Sequence, residues 1–227
     1  GLIPATFRAY MVSDDRFPPK EKTADRPDGR DERNRTDRMH DLVSEYGISP
    51  VVAVFVRSDP AKLTDSGVVK LARALDANLK VVDETVKSQE ERVKRQEYRA
   101  NKLSGFVQFL RIEGMPKQVT VTKADGTSEV KELDAEYPDD EKGEAVREDI
   151  RRLAKEAATP NVPFGLAPVA GKSVAAWGIA PADEVTVILY SRFRVYKRWT
   201  FPAGGPSDEQ VGEVMREMDA MIKAITK

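Results

Sequence analysis

Six consecutive residues, Val185-Thr186-Val187-Ile188-Leu189-Tyr190, restrict the fold more than any other part of this chain. They are apolar or β-branched almost throughout, which suits a strand covered on both faces. Ser191 to Arg194 can turn the chain, and Val195 to Phe201 reads as a second strand. Strict alternation would put Val195, Lys197, Trp199 and Phe201 on one face, and Tyr196, Arg198 and Thr200 on the other. Gly204-Gly205-Pro206 breaks that pattern. Ser207 then stands where it can cap a closing helix, in which Val211, Val214, Met218, Met221 and Ile225 recur at helical spacing. A short helix ending at Trp177-Gly178-Ile179 precedes the strand pair. The end of the chain therefore reads α-β-β-α.

The N-terminal half repeats the alternation of strand and helix. Thr6 to Val12 is predicted as a strand, and Val51 to Val56 (VVAVFV) as a fully buried one. Between them, residues 14–38 hold eight acids and eight bases with few apolar residues. That mixture predicts a solvated, charged loop, or in a sharper reading a recognition loop for a partner. Thr36 is expected to cap a helix carrying Met39, Leu42, Val43 and Tyr46, ended by Gly47. Asp65 or Ser66 should cap another, with Val68, Leu71, Ala72, Leu75, Leu79 and Val82 on one stripe. Its continuation, 83–102, is mostly charge and reads as a helical extension.

Leu103 to Ile112 supplies a further strand, and Asp125-Gly126 between alternating runs marks a hairpin over 118–134. Asp139 or Asp140 should begin a helix with Ala145, Val146, Ile150, Leu153 and Ala157 inward, stopped by Pro160. Val162 to Leu166 is expected at a sheet edge, because Pro163 cannot donate within a central ladder.

The succession NVPFGLAP, AAWGI, EVTVILY and the basic strand resembles the second half of a thioredoxin-like (redoxin) domain, over about 65 residues. The strand, loop, helix, strand order from Thr6 to Val56 is consistent with it. The resemblance implies one α/β domain over 1–227: a thioredoxin-like mixed sheet with flanking helices, a β-hairpin insertion and a long charged N-terminal loop. It also implies where chemistry would sit. A redoxin holds its nucleophilic cysteine in the loop after an early strand, at the start of the next helix. One register places that region at Ser13 to His40, the other at Arg57 to Gly67. Asp41 and Ser44 have the spacing of a C-x-x-C pair and are the degenerate redox positions. The family's cis-proline position is Val185 here, and Phe193-Arg194 replaces the glycine common in the hairpin that follows.

The chain contains no cysteine. Thiol-disulfide exchange and peroxide reduction need a thiolate, and a serine hydroxyl without an adjacent base is no substitute. Thiol redox catalysis by this chain is thereby excluded. A natural or engineered cysteine-less form of a thiol oxidoreductase, with Ser44 in a cysteine's place, fits the same sequence.

Other chemistry has little to build on. His40 is the only histidine, beside Asp41, and its ordinary role would be on the surface or at a cap. His40, Asp41 and Ser44 are too close in sequence for a base-orienter triad on one helix. One histidine without cysteine leaves zinc only carboxylates. Asp25, Asp28, Asp31 and Glu32 miss the EF-hand spacing and are interleaved with arginines. No phosphate loop or dinucleotide fingerprint occurs, and no cofactor is expected.

Lys+Arg 37 against Asp+Glu 38 gives a net charge of -1, so no global field favours nucleic acid. Arg192, Arg194, Lys197 and Arg198 then read as an ordinary exposed strand face before a nucleic-acid site, and they are the candidate residues of the hairpin for binding a protein partner. No apolar run approaches the roughly 20 residues of a membrane span. Gly1-Leu2-Ile3 is neither an initiator nor a leader, which leaves a processed, exported chain open and the compartment undetermined. Two functions compete. One is a redox-inactive thioredoxin-like binding or scaffold module. The other is an enzyme of non-thiol chemistry, a hydrolase or metal-dependent protein, which would need a cleft gathering His40 with buried carboxylates.

Overall fold

The computed structural model describes residues 6–17, 22, 24, 29, 33–79, 103–113, 117–133 and 141–225. Seven strands form one mixed sheet. In chain order they are β1 (Arg8–Ser13), β2 (Arg38–Asp41), β3 (Val51–Val56), β4 (Ser104–Ile112), β7 (Phe164–Pro168), β8 (Val185–Ser191) and β9 (Arg194–Phe201). The remaining two, β5 (Lys117–Thr122) and β6 (Ser128–Leu133), make a separate antiparallel hairpin turning at Asp125-Gly126, as their alternation predicts. The spatial order of the large sheet is β2-β1-β7-β4-β3-β8-β9. β3, β4 and β7 run parallel, and β8 lies antiparallel to β3 and β9 antiparallel to β8. The helices are α1 (Leu42–Tyr46), α2 (Gly67–Asp76), α3 (Glu141–Ala157), α4 (Lys172–Ala176) and α5 (Asp208–Ile225).

Period-two alternation sorts the central strands into two cores. Val52, Val54 and Val56 of β3, with Val187 and Leu189 of β8, pack against Leu71 and Leu75 of α2, Ile150 of α3 and Met218 of α5. Val51, Ala53 and Phe55, with Ile188 and Tyr190, meet Leu42 and Val43 of α1 and Trp177 beyond α4. Four aromatic rings knit the second core: Phe7, Phe55, Trp177 and Tyr190 touch edge-on or tilted at 5.0–5.8 Å. The Val185–Tyr190 run is buried on both faces, as its composition requires. Ser207 and Gln210 cap α5 reciprocally, Gln210 N donating to Ser207 Oγ (3.3 Å) and Ser207 N to Gln210 Oε1 (2.9 Å).

Four expectations need correction. Thr36 does not cap a helix: Arg38 to Asp41 is a strand, paired with β1, and the helix is the short α1. The reason is Asp41, whose Oδ1 accepts from the amides of Val43 and Ser44 and so starts the helix later.

Second, β7 is an interior strand between β1 and β4 rather than an edge. Pro163 precedes it and contributes only its carbonyl, which accepts from Val107 N at 3.0 Å, while Pro168 ends it. The prolines bracket the ladder instead of interrupting it.

Third, the alternation of β9 is broken. Leu189 pairs with Lys197 but Tyr190 pairs with Val195, so Tyr196 is an extra residue in a β-bulge. Val195 moves to the face of Tyr190, and Lys197, Trp199 and Phe201 stay toward α5.

Fourth, the charged stretch 14–38 is not uniformly solvated. Asp14 is fully buried and Phe17 and Asn34 nearly so. The extension 83–102 and the expected helix start at Asp139 or Asp140 lie outside the described residues.

Candidate functional site

Three places carry the residues singled out from the sequence. The first is the junction of β3 and α2. β3 is an interior strand flanked by parallel β4 and antiparallel β8, so its carboxyl end opens where open α/β sheets place ligands. The β2–α1 junction lies near the opposite margin, where β2 is the edge strand.

After β3 the chain runs through Ser58, whose Oγ donates to Glu184 Oε2 at 3.1 Å, and a 3-10 turn at Pro60–Lys62 capped by Asp59. Ser66 caps α2 through Val69 N. The next amide, Val68 N, donates to the carbonyl of Gly204 at 3.2 Å. A Cβ built on Gly67 would lie 1.9 Å from Pro206 O, and one on Gly205 would lie 2.8 Å from Val68 N. The Gly204-Gly205-Pro206 loop therefore sits on the first turn of α2. Gly204 and Gly205 both have φ +90, a region open to glycine. The turn that could lower a thiol's pKa by its free amides and dipole already has a protein acceptor on Val68 N.

The second place is β2–α1. Asp41 Oδ1 accepts from Phe7 N as well as from the α1 amides, and Ser44 Oγ donates to Asp41 Oδ2 at 2.6 Å. Asp41 and Ser44 are thus spent on a helix cap. His40 does not join them. Its Nε2 meets Glu45 Oε2 at 2.5 Å, while Glu45 Oε1 accepts from Arg16 Nη1 at 2.8 Å. Arg16 also forms a bidentate pair with buried Asp14 (2.7 and 2.8 Å) and donates to Tyr46 Oη at 3.0 Å. Tyr46 Oη in turn donates to Gly105 O at 3.2 Å, at the start of β4.

The electrostatics of this cluster are one-sided. Burial would raise the Glu45 carboxyl, but the hydrogen bond from His40 and the Arg16 charge outweigh it and bring its pKa to about 2. Burial also pulls Arg16 toward neutrality, and the Tyr46, Asp14 and Glu45 oxygens more than reverse that. Burial raises the Tyr46 phenol. A carboxylate bound on both oxygens and held ionised is a poor general acid or base at neutral pH. Among the described residues no group of three or more His, Cys, Asp or Glu is placed to share a metal ion.

The third place is the turn between β8 and β9. Arg192 (φ 49) and Phe193 (φ 58) both occupy the left-handed region, as the tightest hairpins demand, although neither is glycine or asparagine. The four predicted partner-binding cations separate here. Lys197 Nζ is held by Glu217 (2.8 Å) and Glu213 (3.2 Å) of α5. Arg198 is held by Asp183 (2.9 Å) and the Trp177 carbonyl. Arg192 and Arg194 are exposed, and among the described residues no carboxylate lies within ion-pair distance of their guanidiniums. They border a groove of about 570 Å³ whose other walls are Val195 and Tyr196 of β9 and Met221 and Ile225 of α5. Tyr196 is 49% exposed, on the bulge that turns it outward, and Ile48 beside the turn is 45% exposed. The sequence pointed to the arginines. It carried no sign of the groove, which needs the end of α5 brought beside them.

No family model matches the chain, and no curated protein does. Solved structures do. AhpC of Mycobacterium bovis superposes with a TM-score of 0.50 at 10% identity, over 97% of this chain and 90% of that one. The 2-Cys peroxiredoxin of Plasmodium vivax gives 0.45 at 12% identity, over 97% and 79%. A thiol:disulfide interchange protein DsbE of Chlorobium tepidum gives 0.43 at 10%, over 97% and 96%. With the central α/β sheet and its flanking helices, the first of these likenesses identifies the fold as thioredoxin-like. Among the described residues no helix is long and apolar enough to cross a membrane.

Proposed function

We propose that this chain is a redox-inactive thioredoxin-like module that works by binding another protein. The carrying observation is the contact of Gly67 with Pro206 at the head of α2. The thioredoxin-like scaffold here lacks the thiol, and in the register that would put it at Arg57 to Gly67 the chain's own loop sits on the head of α2, which supports the reading. In that segment Ser58 Oγ donates to Glu184, Thr64 Oγ1 to Glu156, and Ser66 caps α2, so each hydroxyl is held in a contact of the fold, which supports a structural use of them. The competing enzyme reading needed a cleft gathering His40 with buried carboxylates able to work as acid or base. Its neighbour Glu45 is instead paired on both oxygens, which supports a structural role for the cluster. Binding surface is what the fold leaves over: two unpaired arginines and exposed aromatic and aliphatic side chains at one end of the sheet.

The test has two arms. Peroxide consumption with a dithiol donor and reduction of insulin disulfides should both stay at the buffer blank, and turnover above it would end the redox-inactive reading. Cross-linking in extract of the source cells should give one saturable protein adduct, and its absence at any chain concentration would end the binding reading.

A further inference from the structure

Building on the binding reading, we infer that the groove between the β8–β9 turn and the end of α5 receives an acidic peptide segment with aliphatic side chains. Three observations meet there. Arg192 and Arg194 are the two basic residues of the hairpin that no carboxylate among the described residues neutralises, whereas Lys197 and Arg198 a few residues on are ion-paired. Two exposed guanidiniums at one rim make a fork for carboxylates, which arginine binds in a planar, bidentate manner.

The floor between them is of opposite character. Met221 is buried and Ile225 and Val195 half-buried, so a ligand that uses the whole groove must bring apolar surface as well as negative charge. Inorganic phosphate has none. An acyl carboxylate has both, but such chains favour enclosure, and this groove lies open beside Tyr196, which is nearly half exposed. An extended peptide supplies carboxylates and aliphatic side chains together, and a volume of about 570 Å³ is within the ordinary range for a recognition pocket.

The backbone argues the same way. A turn this tight is ordinarily built with asparagine and glycine, and Arg192 and Phe193 are strained at positive φ. The compensation we assign is display: the turn projects Arg192 over the groove and leaves Phe193 packed on the aromatic core.

The experiment titrates the isotope-labelled 227-residue chain with a capped peptide in which acidic pairs alternate with leucine. Two control peptides replace leucine by serine, or the acids by lysine. Saturable shifts confined to Ser191–Tyr196 and Met218–Ile225 are expected, weakening steeply with salt. Arg192→Glu combined with Arg194→Glu should weaken binding at least about tenfold. Ile225→Lys should weaken it without touching the arginines, and an unchanged urea midpoint shows that both variants are folded.

Equal binding of the serine or lysine peptide, shifts elsewhere, or no saturation by about 1 mM overturns the inference. So does inorganic phosphate or dodecanoate occupying the groove more tightly than the peptide. A protein adduct that survives the double charge reversal would sink this inference alone, leaving the binding reading intact.

Discussion

Gly67 and Pro206 touch at a distance that only a hydrogen atom allows: a Cβ on Gly67 would stand 1.9 Å from the Pro206 carbonyl oxygen and 2.7 Å from its nitrogen. The contact locks the first residue of α2 to the loop that enters α5. It joins the helix at the centre of the fold to the helix that closes it, whose Val214 and Met218 share a core with Leu71 and Leu75.

Gly67→Ala should therefore destabilise the protein. In an open helix the change would be favourable by about 1 kcal/mol, since alanine is the better helix former. Here the methyl group meets backbone rather than a flexible side chain, and overpacking of that kind costs about 1–3 kcal/mol or more. Urea unfolding should show a net loss. A neutral or raised midpoint would mean that the Pro206 loop moves away freely.

The second expected outcome concerns β8. Ile188 and Leu189 are buried in different cores, 2% and 0% exposed, so truncating either to alanine leaves a cavity on one side of the sheet. Each should lose about 2–5 kcal/mol. Lys197→Ala on the neighbouring strand removes part-buried ion pairs with Glu213 and Glu217 and a cation–π contact on Trp199, leaves no cavity in either core, and should be much milder. Equal unfolding midpoints for all three variants would remove β8 from the core.

Much of this was legible because it is local. The runs of β3 and β8, the stripe of α2, the cap of α5 and the Asp125-Gly126 hairpin each depend on residues a few positions apart. What escaped depends on partners far along the chain. Asp14 and Arg16 look like any other charges in a stretch of sixteen, and only Glu45, Tyr46 and burial under α1 make them a clasp. Pro163 signalled an edge strand, but its offset of one residue from β7 left the ladder whole. The bulge at Tyr196 has no glycine to announce it. Lys197 and Arg198 could not be told from Arg192 and Arg194, because the carboxylates that separate them lie on α5 and before β8.

The clasp makes an acid-stability prediction. Glu45 has a folded-state pKa of about 2, below the ordinary 4.5 of a glutamate. A depressed carboxylate contributes stability that is complete above the unfolded value and is lost as pH falls through the folded one. Its contribution should therefore be steady above about pH 5 and decline down to about pH 2. Glu45→Gln should lower stability at neutral pH by about 3 kcal/mol or less, since Arg16 keeps Asp14. It should also flatten the loss of stability across that acid range. Wild-type and variant unfolding curves that fall in parallel between about pH 5 and pH 2 would show that Glu45 is not the titrating group.

The last expected outcome sets stability against binding at one residue. Arg192 sits at φ 49 with its amide donating to Ile48 O (3.3 Å), a conformation that asparagine adopts at little cost and arginine does not. Arg192→Asn should thus raise the urea midpoint, by about 0.5–1 kcal/mol, while keeping the turn and its backbone hydrogen bond. The same change deletes one of the two unpaired guanidiniums at the groove, so the affinity for the acidic leucine peptide should drop even as the fold becomes firmer. A stabilised variant that binds as well as wild type would detach the strained turn from recognition. A destabilised one would mean that Arg192 holds a contact inside the fold that its exposed position does not suggest.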